Sequence, residues 1–470
     1  MLPYLADASS AAPTEAVPVT PVTKETLPQW RETAAAPAER AWVEAIRFTG
    51  EPGKTALIPG PDGRLGRVLA GVKPEDGLWQ LAGLPDALPE GTYALDSSGP
   101  GGGAFAAPEA ATRAALGWAL GTYAFARYKE RKRGGFATLV LPAAADRGEV
   151  ERLARGIFLT RDLINTPASD MGPAELAAAA ENVAGEAGAR FSAIVGDELL
   201  TQNYPTIHMV GRASTRAPRL IDIVWGDPEA PKVTLVGKGV CFDSGGLDLK
   251  PSSGMRNMKK DMGGAATVLG LASAIMDAKL PVRLRVLIPA VENAVSGNAM
   301  RPLDVVRTRK GTTVEIGNTD AEGRLILCDA LTEADSEKPS VLIDFATLTG
   351  AARVALGPDL PALFSSDDAL AADLIAAGTD ENDPMWRLPL WAPYRKLLDS
   401  KVADINNVSE SGFAGAIIAA LYLQDFVSKD TQWAHLDLFA WNNSARPGRP
   451  EGGEAMTIRA IYAYLRRRFG

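Results

Sequence analysis

Short apolar runs alternate with helical segments after residue 190, and this alternation constrains the fold more than any other feature of the sequence. Runs rich in β-branched residues occur at Arg190–Val195, Arg219–Val224 and Leu284–Ile288. Segments with helical spacing separate such runs, for example Asp261–Asp277 and Glu322–Ala334. Strands that alternate with helices in this way form largely parallel sheets with helices on both faces. The sequence therefore predicts an α/β fold with a mixed, mostly parallel sheet flanked by helices.

The 470 residues exceed the size of a typical single domain, so we expect two. Strand-like runs and one Ala-rich helix indicate a small α/β unit before residue 148; they lie at Lys54–Ile58, Arg67–Val72, Thr92–Leu95, Phe136–Leu141 and 110–127. Prolines at 3, 13, 18, 21, 28 and 37 predict only short elements in the first 40 residues. We predict an N-terminal α/β domain over 1–147, a connecting helix over 148–168 and a catalytic domain over 169–470.

Composition excludes several classes of partner. The net charge of −8 argues against nucleic acid or an anionic membrane as the main partner. The two cysteines, Cys241 and Cys328, are too few for a disulfide framework and fit a reducing compartment. The start MLPYLADASSAAP lacks a basic region and a long apolar core, and no apolar run reaches the length of a membrane span. We expect a cytoplasmic protein without a membrane partner.

Charged residues cluster just after two strand-like runs, where open α/β sheets bind their ligands. The first cluster follows the run Lys232–Val236, and the second follows Thr312–Ile316; together they contain Lys238, Asp243, Lys250, Asp261, Asp320, Glu322 and Arg324. The sequence Gly237-Lys238-Gly239 predicts a turn. The spacing of two between Asp320, Glu322 and Arg324 predicts that their side chains project to one side of extended backbone.

The chemistry of these residues favours a pair of metal ions. Four carboxylates, those of Asp243, Asp261, Asp320 and Glu322, would repel one another and partly protonate if they met without compensation. Two divalent cations would neutralise them, and a carboxylate can bridge cations about 3.5–4 Å apart. Lys238 could join as a ligand only as a neutral amine, which a nearby dication favours. An ordinary salt-bridge network explains any one of these residues, but it explains the whole set poorly.

Several runs resemble one known family. VGKGVCFDSGGLDLKP, MKKDMGGAA, NTDAEGRL and DFATLTGA are similar to motifs of the leucine aminopeptidase (cytosol aminopeptidase) family of metallo-exopeptidases. The most specific of the four is NTDAEGRL, which follows the first two in the expected order. The resemblance extends over about residues 165–470, and no comparable match precedes it. The tail SARPGRPEGGEA resembles the shorter, peptidase-B-like members.

The resemblance implies a dinuclear metal site. One metal would be bound by Asp243, Asp320 and Glu322, and the other by Lys238, Asp243, Asp261 and Glu322, so that Asp243 and Glu322 bridge. The family uses zinc, with manganese, magnesium or cobalt able to replace one ion. An oxygen-rich ligand set suits manganese or magnesium as readily as zinc, so the identity of the metals stays open.

The resemblance also implies a mechanism. A water shared by both metals would attack the scissile carbonyl of a peptide with a free N-terminus, and Lys250 would stabilise the oxyanion. Arg324 would hold a bicarbonate ion that transfers the proton. Residues implied to bind substrate are Met258, Asn318, Thr347, Leu348 and Gly350. Members of the family form homohexamers. Phe439 stands where many relatives carry a small residue, which predicts a smaller or reshaped side-chain pocket.

Other readings of the sequence are weaker. The run from Gly99 to Ala104 fits the dinucleotide pattern G-x-G-x-x-A, but no paired acid on a second strand is evident. A serine hydrolase needs a histidine; His208 lies in a strand-like run, Thr206–Val210, and His435 in another, so we expect both to be core residues. The remaining alternative is a metal- or nucleotide-binding regulatory protein on the same fold without peptidase activity. Lys250 and Arg324 favour the enzyme, because neither is needed merely to hold metal.

Overall fold

The computed structural model divides the chain into two compact units. One contains the residues up to Arg155 together with Ser444–Glu451, and the other contains Gly156–Asn443 and Gly452–Gly470. The structure describes residues 2–7, 16–96, 100, 102–130 and 134–470. Gly99 and Gly101 of the dinucleotide pattern lie outside the described residues. The chain also contains a run of charged residues at 129–133, and its last three residues, 131–133, lie outside the described residues as well. The domain boundaries read from the sequence stay predictions.

In the described part of the first unit, a six-stranded sheet is accompanied by four α-helices that lie wholly within the unit. Its strands are β1 Leu5–Ala6, β2 Val17–Val22, β3 Thr55–Pro59, β4 Leu65–Gly71, β5 Thr92–Leu95 and β6 Thr138–Val140. Its helices are α1 Thr26–Thr33, α2 Pro37–Ala45, α3 Leu84–Ala87 and α4 Pro108–Gly121. The strand order is β1-β6-β5-β2-β4-β3, and only β3 and β4 pair antiparallel. This confirms the small α/β domain expected from the sequence.

One strand of this sheet was not predicted from the sequence because it contains prolines. β2 contains Pro18 and Pro21, yet it lies in the interior of the sheet between β4 and β5. Proline lacks a backbone donor and is normally confined to sheet edges. Here Val19 and Val22 are fully buried, and we attribute the interior position to this apolar burial.

The helix α5, Arg147–Asn165, contains the point at which the two units divide, and it overlaps the connecting helix predicted over 148–168. The strands of the second unit are β7 Arg190–Val195, β8 Arg219–Trp225, β9 Lys232–Gly237, β10 Gly239–Asp243, β11 Arg283–Asn293, β12 Val305–Arg307, β13 Thr313–Glu315, β14 Val341–Ala346, β15 Ala362–Ser365, β16 Trp386–Arg387, β17 Ile405–Asn406, β18 Trp433–Asp437, β19 Trp441–Asn442 and β20 Gly452–Gly453. Its further helices are α6 Pro173–Ala187, α7 Glu198–Thr201, α8 Pro205–Gly211, α9 Ser252–Met255, α10 Gly263–Asp277, α11 Glu322–Ser336, α12 Gly350–Leu356, α13 Asp368–Asp380, α14 Gly415–Gln424 and α15 Ile458–Phe469.

The main sheet of this unit has nine strands in the order β16-β15-β18-β14-β9-β11-β8-β7, with β10 paired to β11. The central strands β18, β14, β9 and β11 are parallel, whereas β8 runs antiparallel to both of its neighbours and β15 is antiparallel to β18. The mixed, mostly parallel sheet predicted from the sequence is therefore confirmed.

Helices cover this sheet. Residues of α8, α11 and α14 share one apolar cluster with β9, β11 and β14. α10 contributes no residue to that cluster, although it packs against β9 and β14 and also contacts α6 and α15. None of the helices in the described part of the chain is long and apolar enough to cross a bilayer.

Two local predictions were wrong. Thr206–Val210 belongs to the helix α8, because Pro205 begins the helix and Ile207 and Val210 pack into the apolar cluster while the His208 side chain pairs with Asp197. His208 is thus only partly buried, whereas His435 is a core residue as expected.

The second error concerns the predicted turn at 237–239. β9 and then β10 pair with successive parts of β11 in the same direction, so the chain passes Lys238 without turning.

Candidate metal centre and active site

The candidate site lies at the carboxyl ends of the parallel strands. Lys238 directly follows β9, Asp243 is the last residue of β10, and Thr347 directly follows β14. Asp437 is the last residue of β18. Because these strands run in the same direction, their ends meet at one edge of the sheet, which is the usual ligand-binding edge of open α/β sheets.

A glycine at the start of α10 brings Asp261 to this edge. Asp261 lies in a short 3-10 helix, Met258–Met262, directly before α10. A Cβ atom on Gly264 would lie 2.0 Å from the carbonyl oxygen of Phe345, so only glycine allows the helix to approach β14 this closely. The amide of Ala265 then donates to the carbonyl of Lys238 at 2.9 Å. These contacts fix Asp261 beside Lys238.

The start of α11 supplies the second set of carboxylates. Asp320 precedes the helix, Glu322 is its first residue, and Arg324 lies in its first turn. The prediction that these three residues lie on extended backbone is therefore wrong. A Cβ on Gly323 would lie 2.6 Å from Cε of Lys238, so this glycine leaves space for the lysine side chain.

The predicted ligands converge despite that error. Carboxylate oxygens of Asp243, Asp320 and Glu322 lie within 4.8 Å of one another, close enough for one cation to contact both Asp243 and Glu322. Nζ of Lys238 lies 2.7 Å from Oδ2 of Asp261 and 3.0 Å from Oε1 of Glu322. Nζ of Lys250 lies 2.8 Å from Oδ2 of Asp243 and also contacts Asp320.

The electrostatics show an excess of buried negative charge. Burial, followed by repulsion from Asp243, raises the pKa of Glu322 to about 8 and that of Asp320 to about 6. Burial also raises the pKa of Asp261, although Lys238 opposes this shift. Burial would lower the pKa of Lys238 and Lys250, but the surrounding carboxylates outweigh it and hold both above the ordinary lysine value. The positive charges of the two lysines therefore neutralise only part of the negative charge of the four carboxylates.

The donor set fits divalent cations. Oε2 of Glu322 is buried and has no hydrogen-bond partner, which is unfavourable unless another group contacts it. The surrounding donors are carboxylate oxygens together with the amine of Lys238, and hard divalent cations prefer such oxygen ligands. Cations at this position would contact Oε2 and neutralise the surplus charge.

A cavity of about 330 Å³ opens onto these carboxylates. Four of the predicted substrate-binding residues line it, namely Met258, Thr347, Leu348 and Gly350. Asn318 is not among the described residues that line the cavity; its amide oxygen accepts from the backbone N–H of Asp320 at 2.7 Å. Its predicted contact with substrate stays a prediction.

Arg324 is buried near the site. Its Nη1 donates to the carbonyl of Asn407 at 2.6 Å, and its Nε is buried without a hydrogen-bond partner. Burial lowers the pKa of its guanidinium. One donor therefore remains free for an anion.

Sequence reasoning missed several supporting residues. Nδ2 of Asn293 donates to Oδ1 of Asp243 at 2.9 Å and to the carbonyl of Thr319 at 3.0 Å. Oγ1 of Thr347 donates to Oδ1 of Asp261 at 2.8 Å. Asn293 ends β11, so its position at the carboxyl end of a strand-like run was the signal that could have found it.

Comparison with known families decides the identity. Residues 158–462 match the cytosol aminopeptidase family, catalytic domain, and residues 17–142 match the M17 aminopeptidase, N-terminal domain. The chain belongs to the cytosol aminopeptidase family. It is therefore a peptidase, as the resemblance implied, and a purely regulatory role is not favoured. The absence of a match before residue 165, read from the sequence alone, was wrong, because the N-terminal family signature lies in the small first domain.

Relatives support this assignment over most of the chain. A probable cytosol aminopeptidase of Roseiflexus castenholzii is 42% identical over 74% of each chain, and Peptidase B of Serratia proteamaculans is 43% identical over 68% of this chain and 77% of the relative. The crystal structure of the cytosol aminopeptidase from Coxiella burnetii has a TM-score of 0.92 at 52% identity and covers 97% of this chain and 98% of its own. A structure described as the bottromycin maturation enzyme BotP in complex with Mn has a TM-score of 0.86 at 35% identity and covers 97% of this chain and 99% of its own.

Proposed function

We propose that this family member removes the N-terminal residue of peptides by hydrolysis at a dinuclear metal centre. The observation that carries the proposal is the convergence of Asp243, Asp320 and Glu322 within 4.8 Å, with the buried Oε2 of Glu322 unpaired, at a cavity large enough for an amino-acid side chain. The regulatory alternative could also bind metal, but it would not require Lys250 at the cavity wall or the buried Arg324, because neither is needed merely to hold metal.

Two divalent cations would be held by the carboxylate cluster. Asp243, Asp320 and Glu322 would bind one, and Lys238, Asp243, Asp261 and Glu322 would bind the other. Bound there, they supply the Lewis acidity that makes water a nucleophile near neutral pH and polarises the scissile carbonyl. Manganese is supported by the manganese in the BotP structure, and zinc, magnesium and cobalt suit the same donors.

Lys238 would bind its cation as a neutral amine. In the structure its ammonium is fixed by Asp261, Glu322 and the carbonyl of Thr347, which accepts from Nζ at 2.9 Å. These contacts aim Nζ into the cluster without any rotation of the side chain. Loading the site therefore releases a proton from Lys238, as metal binding to protonated ligands generally does.

Lys250 would stabilise the oxyanion. Its ammonium lines the cavity, and its side chain keeps 14% of its exposure, so it can meet a substrate. Asp243 and Asp320 hold its pKa above the ordinary value against the effect of burial, and it stays protonated at neutral pH. A fixed ammonium that donates to a developing oxyanion contributes about 10²–10³-fold to kcat.

Arg324 would bind bicarbonate, which passes the proton between nucleophile and leaving amine. The guanidinium itself cannot act as the base, because it remains protonated in proteins. Its free Nε supplies a donor for the anion, and its Nη1 contact with Asn407 fixes the plane of the group. This role makes Arg324 part of proton transfer rather than of metal binding.

The cavity residues would position the substrate. Met258, Thr347, Leu348 and Gly350, which line the cavity, would contact the first residue of a peptide whose free α-amine lies near Asp261. We propose the same contact for Asn318, which is not among the described residues that line the cavity. We further propose a cytoplasmic homohexamer that acts on peptides and has no membrane or nucleic-acid partner, in agreement with the names of its cytosolic relatives and its net charge of −8.

The direct test is hydrolysis of a panel of amino-acid amides by protein loaded with manganese or zinc. The proposal expects release of ammonia from several members and loss of activity with a chelator. Correctly folded, metal-loaded protein that turns over no member of the panel would support the regulatory alternative.

Substitutions of Lys250 and Arg324 distinguish a role in catalysis from a role in metal binding. Lys250→Ala and Arg324→Ala are expected to lower kcat while metal content stays near two ions per chain. Metal lost from either variant would show that the residue holds metal, contrary to the role given to it here.

A further inference from the structure

The loop that carries Asp320 is held by a buried asparagine from a distant part of the chain. This loop, called here the carboxylate loop, comprises residues 317–321 and leads directly into α11 at Glu322. Asn407 lies beside it, is fully buried and is not among the described residues that line the cavity. Its side chain has no part in the proposed mechanism, so the reason for its position has to be found in the contacts that it makes.

Four hydrogen bonds use the whole capacity of the Asn407 side-chain amide. Its Oδ1 accepts from the backbone N–H of Gly317 at 2.8 Å and from that of Asn318 at 3.2 Å. Its Nδ2 donates to the carbonyl of Asn318 at 2.8 Å and to that of Ala321 at 3.3 Å. A primary amide offers two donors and two acceptor positions, so its capacity is fully used. Because the carboxylate loop belongs to no helix or strand, these bonds satisfy backbone groups that secondary structure would otherwise pair.

A small three-stranded sheet brings Asn407 to the loop. β13 pairs in parallel with β17, and Asn407 directly follows β17. The backbone N–H of Asn407 donates to the carbonyl of Glu315, the last residue of β13, at 3.0 Å. A Cβ atom on Gly317 would overlap Oδ1 of Asn406, so glycine allows the loop to lie against this segment. The carboxylate loop and Asn407 therefore leave two neighbouring strands side by side.

The same residue also holds Arg324. The backbone carbonyl of Asn407 accepts from Nη1 of Arg324 at 2.6 Å, while its side chain holds the carboxylate loop. Thr319, in the middle of the loop, has a different partner, because its carbonyl accepts from Nδ2 of Asn293 at 3.0 Å. Asn407 thus connects the two ends of the carboxylate loop to the guanidinium that follows it in α11.

We propose that Asn407 is a positioning residue that fixes the separation between Asp320 and Arg324. This inference rests on the proposed function, in which Asp320 binds one of the two cations and Arg324 binds the anion that transfers the proton. The side chain of Asp320 keeps 31% of its exposure, so its position depends on the backbone of its loop more than on packing. Residues that hold metal ligands, rather than the metal itself, tune both metal affinity and activity.

The other cation site has separate supports. Nζ of Lys238 donates to the carbonyl of Thr347 at 2.9 Å, and the hydroxyl of Thr347 donates to Oδ1 of Asp261 at 2.8 Å. Thr347 follows β14 of the main sheet, and the four bonds of the Asn407 amide do not involve it. Loss of that amide is therefore expected to disturb the site that contains Asp320 and to spare the site beside Lys238 and Asp261.

Titration of chelator-stripped protein with manganese tests the inference. Asn407→Ala is expected to weaken one of the two manganese sites at least about tenfold and to leave the other within about threefold of wild type. In saturating manganese, kcat is expected to fall about 30-fold, because small displacements of catalytic groups are costly. KM is expected to change less than about threefold, since Asn407 is proposed to act on these groups without touching the substrate.

A buried asparagine elsewhere in the same unit provides a matched control. Oδ1 of Asn165 accepts from the backbone N–H of Gly453 at 2.8 Å, and Asn165 is not among the described residues of the cavity lining. Asn165→Ala is expected to lower the free energy of unfolding without changing either manganese site or kcat. Asn407→Ser keeps a hydroxyl that can form one of the four bonds, and it is expected to show a smaller shift of the same kind as Asn407→Ala.

A double-mutant cycle tests the connection to Arg324. If Asn407 acts partly through the guanidinium, the variant that combines Asn407→Ala with Arg324→Ala has a smaller loss of kcat than the product of the two single losses. Losses that multiply fully would overturn the connection.

The outcomes separate this inference from the proposed function. Folded Asn407→Ala with both manganese sites and kcat as in wild type would make Asn407 a purely structural residue and overturn the inference. Equal weakening of both sites would also overturn it, because the displacement would not be confined to the loop of Asp320. The titration needs no turnover, so wild-type protein that binds two ions and hydrolyses no amide contradicts the proposed function alone. If Asn407→Ala does not fold, the same criteria apply to Asn407→Ser.

Discussion

Two partly buried groups of charges in the catalytic unit differ in how they are compensated. The candidate metal centre contains four carboxylates and two lysines; its members are Asp243, Asp261, Asp320, Glu322, Lys238 and Lys250. A second group, called here the arginine network, contains three carboxylates and three arginines; its members are Asp222, Glu333, Glu337, Arg283, Arg285 and Arg309. The network balances its charges within the protein, and the centre does not.

The pKa shifts follow this difference. Burial would raise the pKa of Glu333, but Arg285 and Arg309 outweigh it and hold the pKa below its ordinary value. Burial and repulsion from Asp243 raise the pKa of Glu322 instead. Carboxylates that pair with arginines stabilise the fold. Carboxylates whose negative charge the protein does not neutralise are candidates for binding a positively charged ligand.

The largest expected effect comes from neutralising the centre. Glu322→Gln removes a carboxylate proposed to touch both cations, and kcat/KM is expected to fall at least about 10³-fold, or about 4 kcal/mol. The free energy of unfolding of the metal-free protein is expected to hold or rise, because the variant removes a buried charge that repels Asp243. Steady-state kinetics and urea unfolding measure the two effects. If the variant stayed active and bound two ions per chain, the metal centre would not depend on the charge of Glu322, contrary to the difference drawn between the two groups.

The arginine network should respond in the opposite way. Arg285→Met leaves Asp222, Glu333 and Glu337 without their shared cation. Because these carboxylates are only partly buried, and Glu333 and Glu337 keep a second arginine, the free energy of unfolding is expected to fall by about 2 kcal/mol. Activity per folded molecule is expected to stay within about twofold, because the network lies outside the cavity lining. Normal stability with lost activity would place the network in the active site instead.

The pH dependence of stability gives a further test of the difference between the metal centre and the arginine network. The pKa of Glu322 in the folded protein, about 8, exceeds that of the unfolded chain, about 4.3, so its contribution to stability is present at low pH and is lost as pH rises towards 8. The metal-free wild type is therefore expected to lose roughly 2–3 kcal/mol relative to Glu322→Gln between about pH 5 and 7.

Glu333 has the opposite sign, since its lowered pKa gives stability that is present above the unfolded value and lost as pH falls. Urea midpoints above about pH 5 test the sign for Glu322, and midpoints below about pH 4.3, where Glu333 begins to protonate in the unfolded chain, test the sign for Glu333. Parallel pH profiles for the metal-free wild type and Glu322→Gln would contradict the raised pKa of Glu322.

The smallest expected effect concerns the position of Lys238. Gly323→Ala would place a methyl group 2.6 Å from Cε of this buried lysine, which must then move. We expect kcat/KM to fall about 10-fold and the affinity for the second metal to weaken, since small displacements of a ligand reduce catalysis. Gly185→Ala on α6, where a Cβ meets nothing within 4 Å, is the matched control and should be active. Unchanged metal affinity in Gly323→Ala would contradict the placement of Lys238 at the centre.

Periodicity predicted the mostly parallel sheet, because buried strands leave a strong local pattern. The clustering of charged residues after two strands predicted a site, and the family resemblance implied that Asp243 and Glu322 meet in it. The helix predicted over Glu322–Ala334 is confirmed and contains Arg324, so the extended backbone inferred from the spacing of two was wrong because such a spacing is uninformative at a helix start. β2 was missed because local proline rules were outweighed by the burial of Val19 and Val22.

The most direct test of the dinuclear centre is anomalous X-ray diffraction from crystals soaked with manganese. The account predicts two strong anomalous peaks per chain, both within coordination distance of Asp243 and Glu322, with one beside Lys238 and Asp261 and the other beside Asp320. A single peak away from Glu322, or no peak in protein that hydrolyses peptides, would contradict the account.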